Sequence, residues 1–256
     1  GSKDKTVEIA DAYQKQYPDL VKVIHKENGG HGSGVNAGLA CARGVYFKVV
    51  DSDDWLDGTA YQKLLEKIRY YCKEAGGGEE KPDLFVCNYV YNHLEQQITR
   101  SMGYGNVFPA EKICHWSETG HFLPSQYLVM HALVYRTEIL RQSGIVLPEH
   151  TFYVDNLFAY CPLPYVRNIF YMDIDLYQYY LGRDDQSVNE QMLKKRIDQQ
   201  MKVTRMVIAG ADLTKIKEKE PKLASYMYRN ISIMMAISSI HLLLIGNEEA
   251  DRKSTR

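Results

Sequence analysis

Val45-Tyr46-Phe47-Lys48-Val49-Val50 runs directly into Asp51-Ser52-Asp53-Asp54-Trp55. Apart from Lys48, the first six residues are β-branched or aromatic, the composition of a buried strand. The acidic residues then fall where that strand ends. Upstream, Val21 to His25 alternates like a strand, and Gly29-Gly30-His31-Gly32-Ser33-Gly34 leads into a helix predicted from Val35 to Ala42, closed by Gly44. A strand, helix, strand unit implies parallel pairing with a right-handed crossover. It puts the acidic turn at the carboxyl end of a sheet strand, where open α/β sheets hold their ligands.

Outward from this unit the alternation continues. Thr6 to Tyr17 has helical spacing and is stopped by Pro18; Tyr61 to Lys73 is amphipathic; Gly76 to Glu80 reads as a loop; Asp83 to Tyr91 reads as a strand. The pattern runs to about Tyr135, one α/β domain. Beyond Gln191 the signals are helical only, with a charged break at 215–222, so the chain divides into residues 1–190 and a helical region, 191–256. With 31 Lys and Arg against 32 Asp and Glu, the net charge of −1 speaks against nucleic-acid coating. Balanced charge and 45% hydrophobic residues exclude a disordered chain. Five scattered cysteines without a C-x-x-C pair suggest neither a disulfide framework nor a zinc ribbon. No signal peptide is read at the N-terminus, and Ile231 to Ile245 is shorter than a bilayer-spanning helix. No membrane span is expected.

Three carboxylates within four residues repel one another, and a hard divalent ion with a diphosphate supplying further oxygens relieves that repulsion. A solvated acidic turn capping the next helix accounts for the same residues. A D-x-D after a buried strand also marks the aspartyl-phosphate phosphatases, but Trp55 stands where they carry Thr or Val. The glycine-rich stretch reads either as a backbone nest for phosphate or as a tight strand-to-helix turn, and it lacks a P-loop ending.

Taken together and in order, Gly1-Ser2-Lys3-Asp4-Lys5-Thr6, Asn28 to Gly38 and Phe47 to Trp55 resemble the family 2 glycosyltransferases of GT-A fold, a likeness running from Gly1 to about Asn189. The resemblance implies an α/β, Rossmann-like mixed sheet flanked by helices, followed by a C-terminal helical extension. It makes Asp53 the main metal ligand and Asp51 its neighbour near the donor ribose, with Mn²⁺ or Mg²⁺ as cofactor. His31, Asn36 and Arg183 fall on the donor side, Asp155 matches the general base, and His131 lies where acceptor-side residues are found.

Departures from the pattern are Val154 in place of the family's Glu, and Val35 where many relatives carry Arg. The family's usual first strand, helix, strand unit is expected to be missing ahead of Gly1. Gln-x-x-Arg-Trp, the mark of processive synthases, is absent. The implied function is an inverting, metal-dependent, non-processive transfer from a nucleotide-diphosphate sugar, a UDP-sugar first, to a glycan or lipid-linked hydroxyl acceptor in cell-surface or exopolysaccharide synthesis. The alternative is a catalytically silent nucleotide-sugar-binding or scaffolding module. A cytoplasmic location, peripheral to the inner face of the membrane, and self-association through the C-terminal helices complete the expectations.

Overall fold

The computed structural model describes residues 1–74, 81–93, 97–181 and 195–246. Its centre is a seven-stranded mixed sheet. The strands are β1 (Tyr46–Phe47), β2 (Trp55–Leu56), β3 (Leu84–His93), β4 (Ile98–Met102), β5 (Ile113–Cys114), β6 (Leu133–Arg136) and β7 (Ile169–Leu181). They lie in the order β1-β6-β3-β7-β2, with β4 beside the second half of β3 and β5 beside the start of β7. The long β3–β7 ladder is parallel, and the other ladders among the described residues are antiparallel. The first half of β3, Leu84 to Cys87, is apolar on both faces because both are covered. Phe85 and Cys87 join Phe170, Ala60 and Leu64 on one side, while Leu84 and Val86 join Tyr135, Tyr171 and Phe158 on the other.

The mixed sheet flanked by helices is as expected, but its first unit is built differently. Val21–His25 forms no strand; the Val23 N–H is satisfied by the Gln14 side chain at 2.6 Å rather than by a ladder. β1 covers two residues and pairs antiparallel with β6, so the expected parallel partner is not there. Helix α1 (Thr6–Gln16) matches its expected span and buries none of its side chains.

Helix α2 (Gly30–Cys41) starts five residues earlier than predicted, inside the glycine-rich stretch. The reason is close approach. A Cβ on Gly32 would stand 2.9 Å from both the Leu147 Cβ and the Pro148 carbonyl oxygen, so the helix lies against that segment with no side chain between. Gly30, at φ +78°, adopts the left-handed conformation that glycine tolerates. The stretch is therefore the packed first turn of a helix. Helix α3 (Gly58–Arg69) is capped by Asp57, whose carboxylate accepts the Ala60 N–H at 2.8 Å, and widens into a π-helical turn at Tyr70–Glu74.

After α4 (Thr137–Gln142) and α5 (Asp155–Tyr160), the C-terminal region forms α6 (Ile197–Ala209), α7 (Leu213–Lys219) and α8 (Pro221–Ile245). The charged stretch read as a break is largely α7 itself, and Pro221 opens the next helix. Val203, Val207, Tyr226 and Met227 share one apolar cluster with Leu84 and Tyr135, so the core runs across the 190/191 division. Tyr226 anchors α8 by stacking on Trp116 with ring centroids 6.0 Å apart and accepting the Leu128 N–H at 2.9 Å. Further along, Met235, Ile240, Leu243 and Leu244 are exposed. At 25 residues α8 is long and apolar enough to cross a membrane, which corrects the expectation that no segment reaches that length.

Gly32→Ala is expected to force α2 off Leu147 and Pro148. Overpacking of this kind costs about 1–3 kcal/mol, to be read as a lower melting temperature by calorimetry; an unchanged melting temperature contradicts the close-approach account.

Candidate functional site

The acidic turn lies between β1 and β2 and is tied to β7 from both ends. The Tyr177 hydroxyl accepts the Asp51 N–H at 3.2 Å and donates to Asp54 Oδ2 at 2.6 Å, while the Tyr180 N–H reaches Asp54 Oδ1 at 2.9 Å. Residues 177 and 179 of β7 point to the same face of the sheet, and the ring of His131 stacks on both tyrosines at 4.6 and 4.7 Å. His131 belongs to the short 3-10 turn Met130–Ala132, whose position is held by Lys48: its Nζ donates to the His131 carbonyl at 2.7 Å and lies 5.0 Å from the Tyr177 ring centre. From the first turn of α2, His31 Nε2 meets Asp51 Oδ1 at 2.8 Å.

One ligand atom from each of Asp51, Asp54 and His131 lies within 4.8 Å of the others. His131 Nδ1 is buried with no hydrogen-bond partner. An imidazole nitrogen beside two carboxylates is a donor set that suits Mn²⁺ better than Mg²⁺, which prefers oxygen alone. The residues fit a divalent ion.

Burial dominates the protonation of these groups. It pushes Asp54 up to about 6, against the hydrogen bonds from Tyr177 and Tyr180, and it holds His131 down to about 4 and Lys48 down to about 8. Burial also opposes ionisation of Asp51, but the hydrogen bond and charge of His31 outweigh it and leave the carboxyl below its ordinary value. His31 is raised in turn, chiefly by its hydrogen bond to Asp51. The turn is thus a set of ionised and neutral groups fixed by protein contacts before any ligand arrives.

Asp155 opens α5. Burial raises its pKa, with the His31 charge opposing. Together with His131, Tyr91, Tyr127 and Tyr179 it lines a cavity of about 260 Å³, closed on the far side by Gln200 of α6 and by Asn230, Ile233 and Met234 of α8. Tyr153, two residues before Asp155, sits at φ +65°, a strained conformation for a bulky residue, and its buried hydroxyl has no partner.

Among the residues expected from sequence, His31, Asp51, His131 and Asp155 come together here. Asp53 is exposed at the tip of the turn, outside the three-donor cluster. Asn36 is elsewhere: its side-chain amide donates to the Leu147 carbonyl at 2.8 Å and accepts the Leu147 N–H at 3.0 Å, clamping α2 to the chain. Arg183 lies outside the described residues. Sequence reasoning missed Lys48, the structural anchoring of Asp54, and the contribution of α6 and α8 to the cavity wall. A lone Lys in an apolar strand was the available signal for the first.

Residues 1–77 match the family model described as Glycosyl transferase family 2. Putative glycosyltransferase EpsH of Bacillus subtilis is 26% identical over 184 residues, 70% of this chain and 49% of its own. The first 77 residues thus resemble glycosyltransferase family 2, and the relatives that match along the chain are named as glycosyltransferases. Another relative, glycosyltransferase GlyG of Streptococcus pneumoniae, is 34% identical over 96 residues, 37% of this chain and 28% of its own. The chain therefore spans about half the length of EpsH and less of GlyG. Among solved structures, residues 1–349 of Staphylococcus aureus TarS in complex with UDP-GlcNAc superpose with a TM-score of 0.63 at 19% identity, covering 99% of this chain and 67% of that one. That likeness establishes a shared GT-A fold.

Tyr177→Phe removes the hydroxyl shared by Asp51 and Asp54. Hydrogen bonds to charged groups contribute about 1.5–3 kcal/mol, so denaturant unfolding should show a loss of that order; a loss below ~0.5 kcal/mol contradicts the anchoring role.

Proposed function

We propose that the chain is the catalytic part of an inverting, metal-dependent, non-processive glycosyltransferase that moves a sugar from a nucleotide-diphosphate donor to a hydroxyl acceptor in cell-surface or exopolysaccharide synthesis. The observation that carries this reading is the placement of Asp155: a carboxyl with a raised pKa, on a cavity shared with His131, near a turn where Asp51, Asp54 and His131 offer a donor set for a cation. The relatives are named as glycosyltransferases, and a structural neighbour was solved with UDP-GlcNAc, which supports a UDP-sugar as donor.

Single displacement needs a base on the acceptor side, within hydrogen-bond reach of the attacking hydroxyl. Asp155 faces the cavity where an acceptor ring would lie, among tyrosines whose faces suit a sugar and beside the amides of Gln200 and Asn230. A carboxyl with a raised pKa is a stronger base once ionised, and it takes the hydroxyl proton as the new bond forms. A divalent ion, when bound, neutralises the departing diphosphate. Asp51 and Asp53 are its motif ligands in this reading, with His131 Nδ1 available on the buried side. Asp54, with a hydrogen bond on each oxygen, fixes the turn. The neutral His131 ring separates the metal side from the acceptor side and adds no competing positive charge. The absence of Gln-x-x-Arg-Trp supports transfer of single sugars.

The test is release of UDP from UDP-GlcNAc with Mn²⁺ and a mixture of saccharide acceptors. Asp155→Asn should keep the Mn²⁺-dependent thermal shift given by UDP and lose roughly 10²- to 10⁴-fold in turnover, the usual contribution of a general base. Near-normal turnover rejects the assignment.

A second comparison locates the metal. Asp53→Asn should abolish the Mn²⁺-dependent shift and leave the unliganded melting temperature unchanged, whereas Asp54→Asn should lower that melting temperature. If Asp53→Asn responds fully to Mn²⁺, the ion belongs to Asp51, Asp54 and His131 alone.

A further inference from the structure

At the opposite end of the sheet lies a second cavity, about 500 Å³, where β3 and β7 begin and β6 ends. Asn168 and Tyr177 are nine positions apart along β7 and its lead-in, roughly 30 Å of extended chain, so this cavity is remote from the acidic turn. Lys81, Arg136 and Arg167 line it together with a single acid, Asp83. Asp83 is already committed. Its Oδ2 accepts the N–H groups of Arg167 and Asn168 at 2.8 and 3.0 Å, and its Oδ1 pairs with Arg136 Nη2 at 2.9 Å. The cavity therefore keeps an excess of positive charge.

Two buried polar atoms here have no partner: Arg136 Nε and Asn168 Oδ1. Asn168 is only 8% exposed. Its orientation is fixed, because Nδ2 donates to the Lys81 carbonyl at 3.3 Å and the amide oxygen must face the other way. Leaving buried polar groups unpaired costs free energy that a ligand recovers. One is a cationic donor and the other a neutral acceptor, so the complementary ligand offers an anion and a hydroxyl or N–H together. Tyr165, 44% exposed, adds a flat apolar wall beside them.

We propose that this cavity binds a small phosphate monoester bearing free hydroxyls, a sugar phosphate or a nucleotide, with the phosphate on Arg136, Arg167 and Lys81 and a hydroxyl on the Asn168 amide oxygen. The guanidinium groups supply forked N–H donors suited to phosphate oxygens. The site shares no residue with the acidic turn or with the Asp155 cavity, so it stands or falls independently of the proposed transfer reaction.

The experiment is calorimetric titration of the whole chain in EDTA, which silences metal-dependent donor binding, with glucose 1-phosphate, uridine monophosphate, inorganic phosphate and glucose as separate probes. One of the two esters should bind at least tenfold more tightly than inorganic phosphate, and glucose should not bind; which ester it is distinguishes a sugar phosphate from a nucleotide. Arg167→Glu, a change at an exposed position, should weaken ester binding at least tenfold and leave the Mn²⁺-dependent shift given by UDP unchanged. Asn168→Leu should reduce ester binding toward that of inorganic phosphate; should it not fold, Arg167→Glu decides alone. Absence of ester binding, or binding indifferent to Arg167→Glu, overturns the proposal. So does binding lost on Asp51→Asn, which would assign it to the acidic turn.

Discussion

The hydroxyl of Tyr177 is the point on which the site depends. It is bonded at once to the backbone at the start of the acidic turn and to the carboxylate at its end, and so joins a loop of four residues to the longest strand of the sheet. Without that tie, a run of three carboxylates would spread into solvent under its own repulsion. With it, Asp51 and Asp54 are held partly buried, facing His131, and the cost of burial appears as the raised pKa of Asp54.

Cationic and neutral groups around the turn make that burial tolerable. Lys48, just past β1, lies against the ring of Tyr177, and His31 arrives from α2 to pair with Asp51. Each position relies on packing elsewhere. His31 is in place because α2 can begin early and lie against Leu147, which requires Gly32 to have no side chain and Asn36 to clamp the same backbone. A glycine-rich stretch that looks like a ligand loop thus works one step back from the ligand, by letting a helix approach closely.

The C-terminal helices have a comparable indirect role. Tyr226 and its aromatic neighbours fix the first half of α8 against the domain, and Gln200 and Asn230 thereby reach the cavity that holds Asp155. The second half of the same helix leaves a long apolar face open. Ile237 of this stretch is both exposed and part of the wall of the Asp155 cavity.

The acidic turn and the α/β pattern were legible because they depend on local composition: β-branched runs, periodicity, and residue types at fixed spacing; Asp155 was singled out only through the family resemblance. The resemblance to family 2 glycosyltransferases was legible because three motifs occur in order. What remained hidden was pairing. Nothing in Val45–Val50 says that its partner is β6 in antiparallel register, since strand neighbours are chosen by contacts about 90 residues apart. Nor does spacing separate Asp53 from Asp54; the difference between an exposed carboxylate and one tied by Tyr177 and Tyr180 is made by β7, more than 120 residues downstream. Asn36 shows the same limit, a polar residue inside a motif whose hydrogen bonds turned out to be spent on the backbone of Leu147. The sequence by itself determined which chemical groups the site has to work with. Tertiary structure decided which of them face one another, because burial and hydrogen-bond partners come from segments that are distant along the chain.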